Sequence, residues 1–257
     1  MKSLKKYFKK VIIFIYRILF PLFDPLNFFK GVKGYFFFIY SLIKYCFVFK
    51  ESISLFDLYP QTHENLKEIN FDTHYFYLSG WAFRKINSNE HKKHIEIGFQ
   101  PTFVNLLSSI IPVIFLDFRP LKVNIRGLTI ICGDILNLPF QNGSVESISC
   151  LHVAEHIGLG RYGEPLNSDG TKQACDELKR VLAPGGNLYF AIPIGRERIC
   201  FNAHRIYSPE KILEFFNGLE IIEFSCVQDN GKFFEKADLN EFKNCDYACG
   251  MFWFKRI

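Results

Sequence analysis

Residues 143–194 read GSVESISCLHVAEHIGLGRYGEPLNSDGTKQACDELKRVLAPGGNLYFAIPI, and this stretch decides the fold. Its small and β-branched residues predict a strand from Ser144 to His152. From Thr171 to Leu182 apolar residues recur at helical spacing, which predicts a helix with one apolar stripe. The Pro-Gly-Gly that follows ends this helix, and the apolar run Leu188–Ile192 predicts a second strand closed by Pro193. A strand, a crossover helix and a strand form a βαβ unit, which belongs in a parallel sheet.

The same patterns place the other elements of a sheet on both sides of this unit. The further predicted strands are His94–Gly98, Val113–Leu116, Leu128–Cys132, Glu220–Val227 and Ala248–Phe254, and a helix is predicted over Thr102–Ile111. Ser208, Pro209 and Gly218 bound a later helix as cap, first residue and stop. Ligands of open α/β sheets bind at the carboxyl ends of the strands, so Asp117 and Asp134 are expected to meet there.

Two segments of the chain carry a resemblance to a known family. LHVAEHI followed by CDELKRVLAPGGNLYFAIP resembles the fourth-to-fifth-strand region of class I S-adenosylmethionine-dependent methyltransferases. The matching residues are Glu155, His156, Glu177, Arg180, Leu182, Pro184, Gly185 and Gly186. The phrases FDTHYFY, EHIGLGRYGEPLN and ICFNAHRIYSP look more closely like a bacterial family of methyltransferase-like proteins that is often associated with surface-polysaccharide loci. This closer resemblance spans residues 55–220.

The resemblance implies a fold and a division of the chain. We expect an α/β, Rossmann-like, seven-stranded and mostly parallel sheet, with an antiparallel last strand and helices on both faces. This methyltransferase-like domain occupies residues 55–257. Residues 1–54 lie outside the strongest part of the resemblance, and their composition predicts a basic, phenylalanine-rich helical extension.

The resemblance also implies S-adenosyl-L-methionine as cofactor. A glycine lets the backbone approach the ligand after the first strand, and an acid at the end of the second strand can accept both ribose hydroxyls. The expected cofactor contacts are Glu96, Gly98, Asp117, Asp134, Ile135, Leu151 and His152. The family pattern of an acid and three spaced glycines is here EIGFQP, with one glycine. We expect Phe99 and Pro101 to stiffen and fill the usually open loop, which would weaken, reshape or abolish cofactor binding.

Methyl transfer needs a positioned acceptor, and a base helps where the acceptor is a hydroxyl. Imidazole titrates near neutral pH, so His152, His156 and His204 are candidate bases, and the catalytic candidates are His156, His204 and His74. His74 is included because the resemblance implies that its segment lies across the cofactor and substrate cleft. The candidate acceptor-binding residues are Arg161, Asn202 and Arg205. Each group has a plainer alternative. The histidines can serve packing or the cofactor pocket, the glycine-rich loop around Arg161 can be a flexible connection, and Asn202 and Arg205 can satisfy loop carbonyls.

Metal and disulfide chemistry are not expected. His152-Val-Ala-Glu155-His156 matches the H-x-x-E-H pattern of zinc proteases, but that pattern requires a helix and His152 ends a strand. The sequence therefore predicts no metal site. The eight cysteines include no C-x-x-C pair, which favours reduced, packed thiols in a cytosolic protein. Cys132, Cys150 and Cys226 are expected to lie in buried strands.

Charge is concentrated at the N-terminus. Residues 1–50 hold ten Lys and Arg and one acid, a net +9, whereas the rest holds 21 basic and 25 acidic residues, a net −4. The apolar runs Val11–Phe23 and Gly34–Phe49 are each shorter than the ~20 residues that span a bilayer. The segment is either an interfacial membrane anchor or a helix packed on the domain. We expect a cytoplasmic protein, peripheral on the inner face of the membrane if anchored.

The sequence therefore predicts S-adenosylmethionine-dependent methyl transfer to a small acceptor, with a saccharide of a surface polysaccharide as the acceptor that the resemblance suggests. The main alternative is an inactive methyltransferase fold that serves as a binding or scaffold protein of envelope assembly. A nucleotide-sugar or nicotinamide enzyme would need a phosphate-cradling loop that the sequence lacks, and a membrane-interaction protein would act through residues 1–50. Nothing in the core domain predicts a nucleic-acid groove.

Overall fold

The computed structural model describes residues 11, 12, 15, 16, 19, 28–49 and 51–257. The chain separates into two units, one ending at Asn70 and one spanning Phe71–Ile257, and each is described by itself. Most of the apolar run Val11–Phe23 lies outside the described residues, so its predicted role stays a prediction.

The first unit contains the helix α1, Phe28–Phe49, and a 3₁₀ turn at Leu55–Asp57. Gly31 and Gly34 are the buried residues of α1, and a side chain at Gly34 would collide with the Thr62 backbone. By length and composition alone α1 could cross a membrane. The expectation that the second apolar run is too short is therefore wrong, because the helix starts at Phe28 rather than at Gly34.

The second unit alternates strands and helices. Its strands are β1 His94–Ile97, β2 Val113–Asp117, β3 Leu128–Cys132, β4 Val145–Leu151, β5 Leu182–Ile194, β6 Arg198–Cys200, β7 His204–Ile206, β8 Glu220–Val227, β9 Phe233–Phe234 and β10 Ala248–Lys255. Its α-helices are α2 Thr73–Ser88, α3 Pro101–Ser108, α4 Gly170–Val181 and α5 Pro209–Phe215. Short 3₁₀ turns lie at Ala154–His156 and Leu239–Phe242.

The main sheet has the strand order β3-β2-β1-β4-β5-β10-β8-β9. The first five strands are parallel, whereas β10 pairs antiparallel with both β5 and β8. The predicted Rossmann-like architecture with an antiparallel last strand is confirmed. The sheet has eight strands among the described residues rather than the predicted seven, because the two-residue β9 adds to the edge of β8. A separate two-stranded sheet pairs β6 with β7.

Helices cover both faces of the sheet, as predicted. One buried cluster joins Leu178 of α4 and Ile212 of α5 to the sheet, and the other joins Trp81 of α2 and Val104 of α3. Strand β5 lies between them, so its run LYFAI is buried on both faces. A central parallel strand that is covered on both sides reads as a continuous apolar run, which is why this stretch shows no alternation.

Two element boundaries differ from the prediction by three residues or more. Helix α3 ends at Ser108 rather than Ile111, and the hydroxyls of Ser108 and Ser109 donate to the carbonyls three residues earlier, which competes with further helix. Strand β5 begins at Leu182, before the Pro-Gly-Gly. The Gly185 amide donates to the Arg256 carbonyl at 2.7 Å, so the end of the chain pairs with this turn.

The described cysteines are all free thiols. Of the three cysteines predicted to lie in buried strands, Cys150 and Cys226 are buried. Cys132 is exposed, because β3 is an edge strand. Cys245 and Cys249 are also buried.

Helix α2 is fixed to the sheet by a buried carboxylate on β8. The indole N–H of Trp81 donates to Glu223 Oε1 at 3.1 Å, and Lys85 Nζ lies 2.8 Å from Glu223 Oε2. The side chains of Lys85 and Glu223 are 13% and 6% exposed. Because a buried charge that loses its partner is costly, this cluster sets the position of α2.

Replacing Glu223 with alanine leaves the buried Lys85 ammonium without its closest partner. We expect this substitution to lower the free energy of unfolding by about 3 kcal/mol. Urea denaturation measures the loss. The matched control is Glu235→Ala, because Glu235 is 48% exposed and only 3.5 Å from Lys85 Nζ. Exposed ion pairs contribute below about 1 kcal/mol, so equal losses in the two variants would contradict the assigned anchor.

Candidate functional site

A cavity of about 210 Å³ opens at the carboxyl ends of β1, β2, β3 and β4. Strand order reverses between β1 and β4, and such a switch point is where open α/β sheets bind ligands. This first cavity is lined by residues that include Gly98, Asp117, Asp134, Ile135, His152 and Tyr162. Five of the seven residues predicted to contact a cofactor are among them.

Gly98 and Asp117 face each other at one end of the first cavity. Gly98 has φ +61°, and a Cβ there would lie 3.3 Å from Asp117 Oδ2 and 3.3 Å from a Val153 methyl. The other carboxylate oxygen of Asp117 accepts from the Arg119 amide at 2.6 Å. Glycine is therefore required here, because the position combines a left-handed backbone with close approach of its neighbours.

Asp134 and Ile135 follow β3 and line the same cavity. Asp134 Oδ1 accepts from the Leu136 amide at 2.9 Å, which fixes the carboxylate at the turn. Ile135 is buried and adds an apolar wall beside it. Asp134 and Ile135, which are adjacent in sequence, thus give the cavity wall a hydrogen-bond acceptor beside an apolar surface.

The loop after β1 is not filled by its aromatic residue. Phe99 is buried in the core, where its ring stacks on Tyr75 at 5.8 Å and meets Phe103 edge-on at 5.3 Å. Phe99 does not line the first cavity, and Pro101 is the first residue of α3. The expectation that Phe99 and Pro101 fill the loop is therefore wrong.

Glu96 and Leu151, two of the expected cofactor contacts, do not line the first cavity. Leu151 is buried in the core cluster that faces α2 and α3. Glu96 is fully buried and accepts from the Ser149 hydroxyl, close to His94. Burial raises the pKa of Glu96 well above its ordinary value, although the Ser149 bond opposes the shift. Glu96 therefore belongs to a polar network inside the sheet.

The glycine-rich loop covers one side of the first cavity. The Glu164 carboxylate accepts from the amides of Gly160 at 2.9 Å and Tyr162 at 2.8 Å. The guanidinium of Arg119 lies over the Tyr162 ring, 3.9 Å from its centre. Because the loop's own carboxylate uses these amides, they are not open to a phosphate of a ligand.

A second cavity, of about 650 Å³, adjoins the first, since His152 and His156 line both. The three predicted catalytic histidines, His74, His156 and His204, all line this second cavity. Arg161, one of the candidate acceptor-binding residues, lines it too. The structure thus brings together four candidates from α2, the 3₁₀ turn, the glycine-rich loop and β7.

The histidines of the second cavity differ in their surroundings. Burial lowers the pKa of His204, although the Glu155 carboxylate opposes the shift. Burial and then His152 lower the pKa of His74. His156 is held by its Nδ1, which lies 2.6 Å from the Ala203 carbonyl oxygen. His74 and His204 are accordingly neutral imidazoles at pH 7 and can accept a proton.

Two of the residues proposed to bind an acceptor have other positions. Arg205 is buried, and its guanidinium donates to the carbonyls of Ile157 at 2.5 Å and Asn167 at 2.8 Å. Asn202 is exposed and lines neither cavity. For Arg205 the plainer alternative is correct, because its donors are used to hold the glycine-rich loop.

Sequence reasoning missed Cys249, one of the two hydrogen-bond partners of His152. His152 Nδ1 lies 2.9 Å from Glu155 Oε1, and His152 Nε2 lies 3.1 Å from Cys249 Sγ on β10. Burial raises the pKa of Glu155, but His152 outweighs burial and holds it below its ordinary value. Burial opposes the charged form of His152, but Cys249 and Glu155 outweigh burial and raise the pKa of His152 to about 10. The H-x-x-E spacing signals the first contact, but nothing in the sequence signals the thiol.

A sequence profile described as "Caenorhabditis protein of unknown function, DUF268" matches residues 140–248. No curated protein matches the chain. Among solved structures, the N-methyltransferase NodS from Bradyrhizobium japonicum WM9, in complex with S-adenosyl-L-homocysteine, is 16% identical. That match covers 77% of this chain and 91% of NodS, with a TM-score of 0.51. The [4+2]-cyclase SpnF is 14% identical over 75% of this chain and 84% of its own, with a TM-score of 0.54.

These likenesses show the fold. The second unit has the Rossmann-like architecture of class I methyltransferases, as its strand order already indicates. The same architecture occurs in a cyclase, so the reaction has to be argued from the site.

We expect the His204 imidazole to titrate below the ordinary value of 6.5, because burial disfavours its charged form. Proton acceptance at this residue is then available at neutral pH and is lost as pH falls through the lowered pKa. A pH series of histidine NMR spectra, with the His204 signal assigned from a His204→Gln variant, measures the midpoint. The urea-unfolded chain supplies the reference, and a folded midpoint at or above the unfolded one would contradict the assignment.

Proposed function

We propose that the chain is an S-adenosylmethionine-dependent methyltransferase whose cofactor binds in the first cavity. The observation that carries this proposal is the convergence of Gly98, Asp117 and Asp134 on one open cavity at the switch point of the sheet. The fold shared with NodS, which was solved with S-adenosyl-L-homocysteine, supports it. The position of Phe99 in the core supports it as well, since the cavity is left open.

The residues of the first cavity fit the parts of this cofactor. The Asp117 carboxylate can accept both hydroxyls of a ribose, and Gly98 allows the backbone to approach the ligand closely. Asp134 and Ile135 offer a hydrogen-bond acceptor and an apolar face to an adenine. When bound, the cofactor supplies a methyl group on a sulfonium, which an acceptor can attack.

The acceptor is proposed to bind in the second cavity. His152 and His156 line both cavities, so they lie where a methyl group would pass from cofactor to acceptor. Methyl transfer requires in-line approach, and the walls of the two cavities provide positioning. His204, whose pKa is lowered by burial, is available to accept the proton of a hydroxyl acceptor, and His74 lines the same cavity.

We propose a saccharide as the acceptor class. The segment ICFNAHRIYSP, which carries the resemblance to proteins associated with surface-polysaccharide loci, supplies His204 to the second cavity. Arg161, Asp246 and the Tyr247 ring line the same cavity. Hydroxyl-rich ligands are bound by polar groups of this kind beside an aromatic face.

Calorimetric titration with S-adenosyl-L-homocysteine tests the cofactor proposal. We expect Asp117→Ala to weaken binding by roughly 10- to 100-fold, because a hydrogen bond to a charged group contributes about 1.5–3 kcal/mol. The control is Asp176→Ala, which removes an exposed carboxylate of α4 and should leave affinity unchanged. Absence of binding to the parent chain at millimolar ligand would favour the inactive scaffold instead.

We further propose that residues 1–50 attach the protein to the cytoplasmic membrane surface. Their net charge of +9 suits anionic lipid, and Phe29, Phe36 and Phe47 of α1 are exposed. Co-sedimentation of the full chain should be stronger with anionic vesicles than with neutral ones and should weaken with salt. If the same amount of protein sediments with neutral vesicles as with anionic ones, the basic residues do not have the proposed role.

A further inference from the structure

Three side chains with metal-ligating atoms converge beside the second cavity. They are His74 in the first turn of α2, His152 after β4 and Cys249 on β10. One ligand atom of each lies within 4.8 Å of the corresponding atoms of the other two. The elements that carry them are far apart in sequence, so the fold alone produces the cluster.

A buried carboxylate orients one of these ligands. Glu155 Oε1 lies 2.9 Å from His152 Nδ1, which directs the opposite nitrogen, Nε2, toward Cys249 Sγ at 3.1 Å. Histidines that bind metals usually donate their other ring N–H to a carboxylate or carbonyl, which fixes the tautomer and the ring. The Glu155–His152 contact is this arrangement, and it is independent of the convergence of the three ligands.

The surroundings of the cluster can also accommodate a cation in place of the proton on His152. Glu155 has no exposed surface, and its Oε2 has no hydrogen-bond partner among the described residues. Beside it the Cys249 thiol is fully buried. Buried charge is costly unless it is compensated, and a divalent cation held by a thiolate and two neutral imidazoles would keep the carboxylate compensated when it replaces the proton of His152.

We propose that His74, His152 and Cys249 bind one Zn²⁺ ion. Two imidazole nitrogens and a thiolate suit zinc, with Zn–N distances of about 2.0–2.1 Å and a Zn–S distance of about 2.3 Å. Tetrahedral ligands at those distances stand roughly 3.5 Å apart, so the His152–Cys249 contact widens by a few tenths of an ångström. His74 is partly exposed and can turn toward the ion.

The fourth ligand position opens toward the acceptor. His74 and His152 both line the second cavity, and three protein ligands with an open position are typical of catalytic rather than structural zinc. This role rests on the proposed function, whereas the metal site does not. With both groups bound, the ion would polarise an acceptor hydroxyl and His204 would take its proton; the oxygen would then accept the methyl group, and the sulfonium sulfur would keep the electron pair of the broken carbon–sulfur bond.

The test is cobalt substitution in the full-length protein. After removal of metal with a chelator, one equivalent of Co²⁺ should produce the near-ultraviolet band of a thiolate–cobalt bond, and Zn²⁺ should displace it. Cys249→Ser should abolish the band. Cys132→Ser, at an exposed thiol, and Cys226→Ser, at a buried thiol on the neighbouring β8, should both retain it.

Two further variants separate binding from folding. His74→Ala should weaken Co²⁺ binding, and Glu155→Gln should weaken it by about 10- to 100-fold, because outer carboxylates tune ligand strength. Far-ultraviolet circular dichroism verifies that each variant is folded. S-adenosyl-L-homocysteine titration of the same samples reports the proposed cofactor site separately.

Three outcomes would overturn the metal site. One is the absence of a thiolate–cobalt band at one equivalent in the parent protein. Another is a band that persists in folded Cys249→Ser, which would assign the metal to a different thiol. The third combines two results: the metal-free protein shows a thiolate absorption that Cys249→Ser removes, and the parent protein binds no metal. In that case His152 and Cys249 would form an ion pair only.

Discussion

The hydrogen bond between the buried Glu155 carboxylate and His152 is the constraint on which both cavities depend. Glu155 has no exposed surface and lies 2.9 Å from His152 Nδ1 and 3.7 Å from His156 Nε2. A buried carboxylate needs such partners, so the two imidazoles are held at the boundary between the cavities. The Thr171 hydroxyl, which donates to the Ala154 carbonyl at 2.8 Å, ties this turn to α4.

The opposite wall of the second cavity depends on how α2 is held. Asp72 caps this helix by accepting from the Tyr75 amide at 3.1 Å, and Trp81 and Lys85 bind Glu223 on β8. These contacts at both ends of α2 fix the position of its first turn, which carries His74, relative to the sheet. A segment that lies before the first strand in sequence is thereby placed against β10 near the end of the chain.

The sequence predicted the sheet well because its signals are local. Strands β1, β2, β3, β8 and β10 were found to within a residue or two, since each is a short apolar run between turn residues. Asp117 and Asp134 were placed correctly because strand ends in a parallel sheet share an edge. Arg205 was ambiguous, because its carbonyl partners Ile157 and Asn167 are distant in sequence. Cys249 was missed because its neighbour His152 lies 97 residues away.

The packing of Phe99 into the core has a consequence for recognising distant relatives of this fold. The ring of Phe99, the residue after Gly98, packs against Tyr75 and Phe103, so the cavity side of the turn stays open although the motif keeps one glycine. Loss of a glycine signature is therefore no measure of a lost pocket. Whether the cavity stays open depends on the direction in which the side chain after Gly98 packs. A search pattern that counts glycines would therefore discard chains whose cavity at this sheet edge is intact.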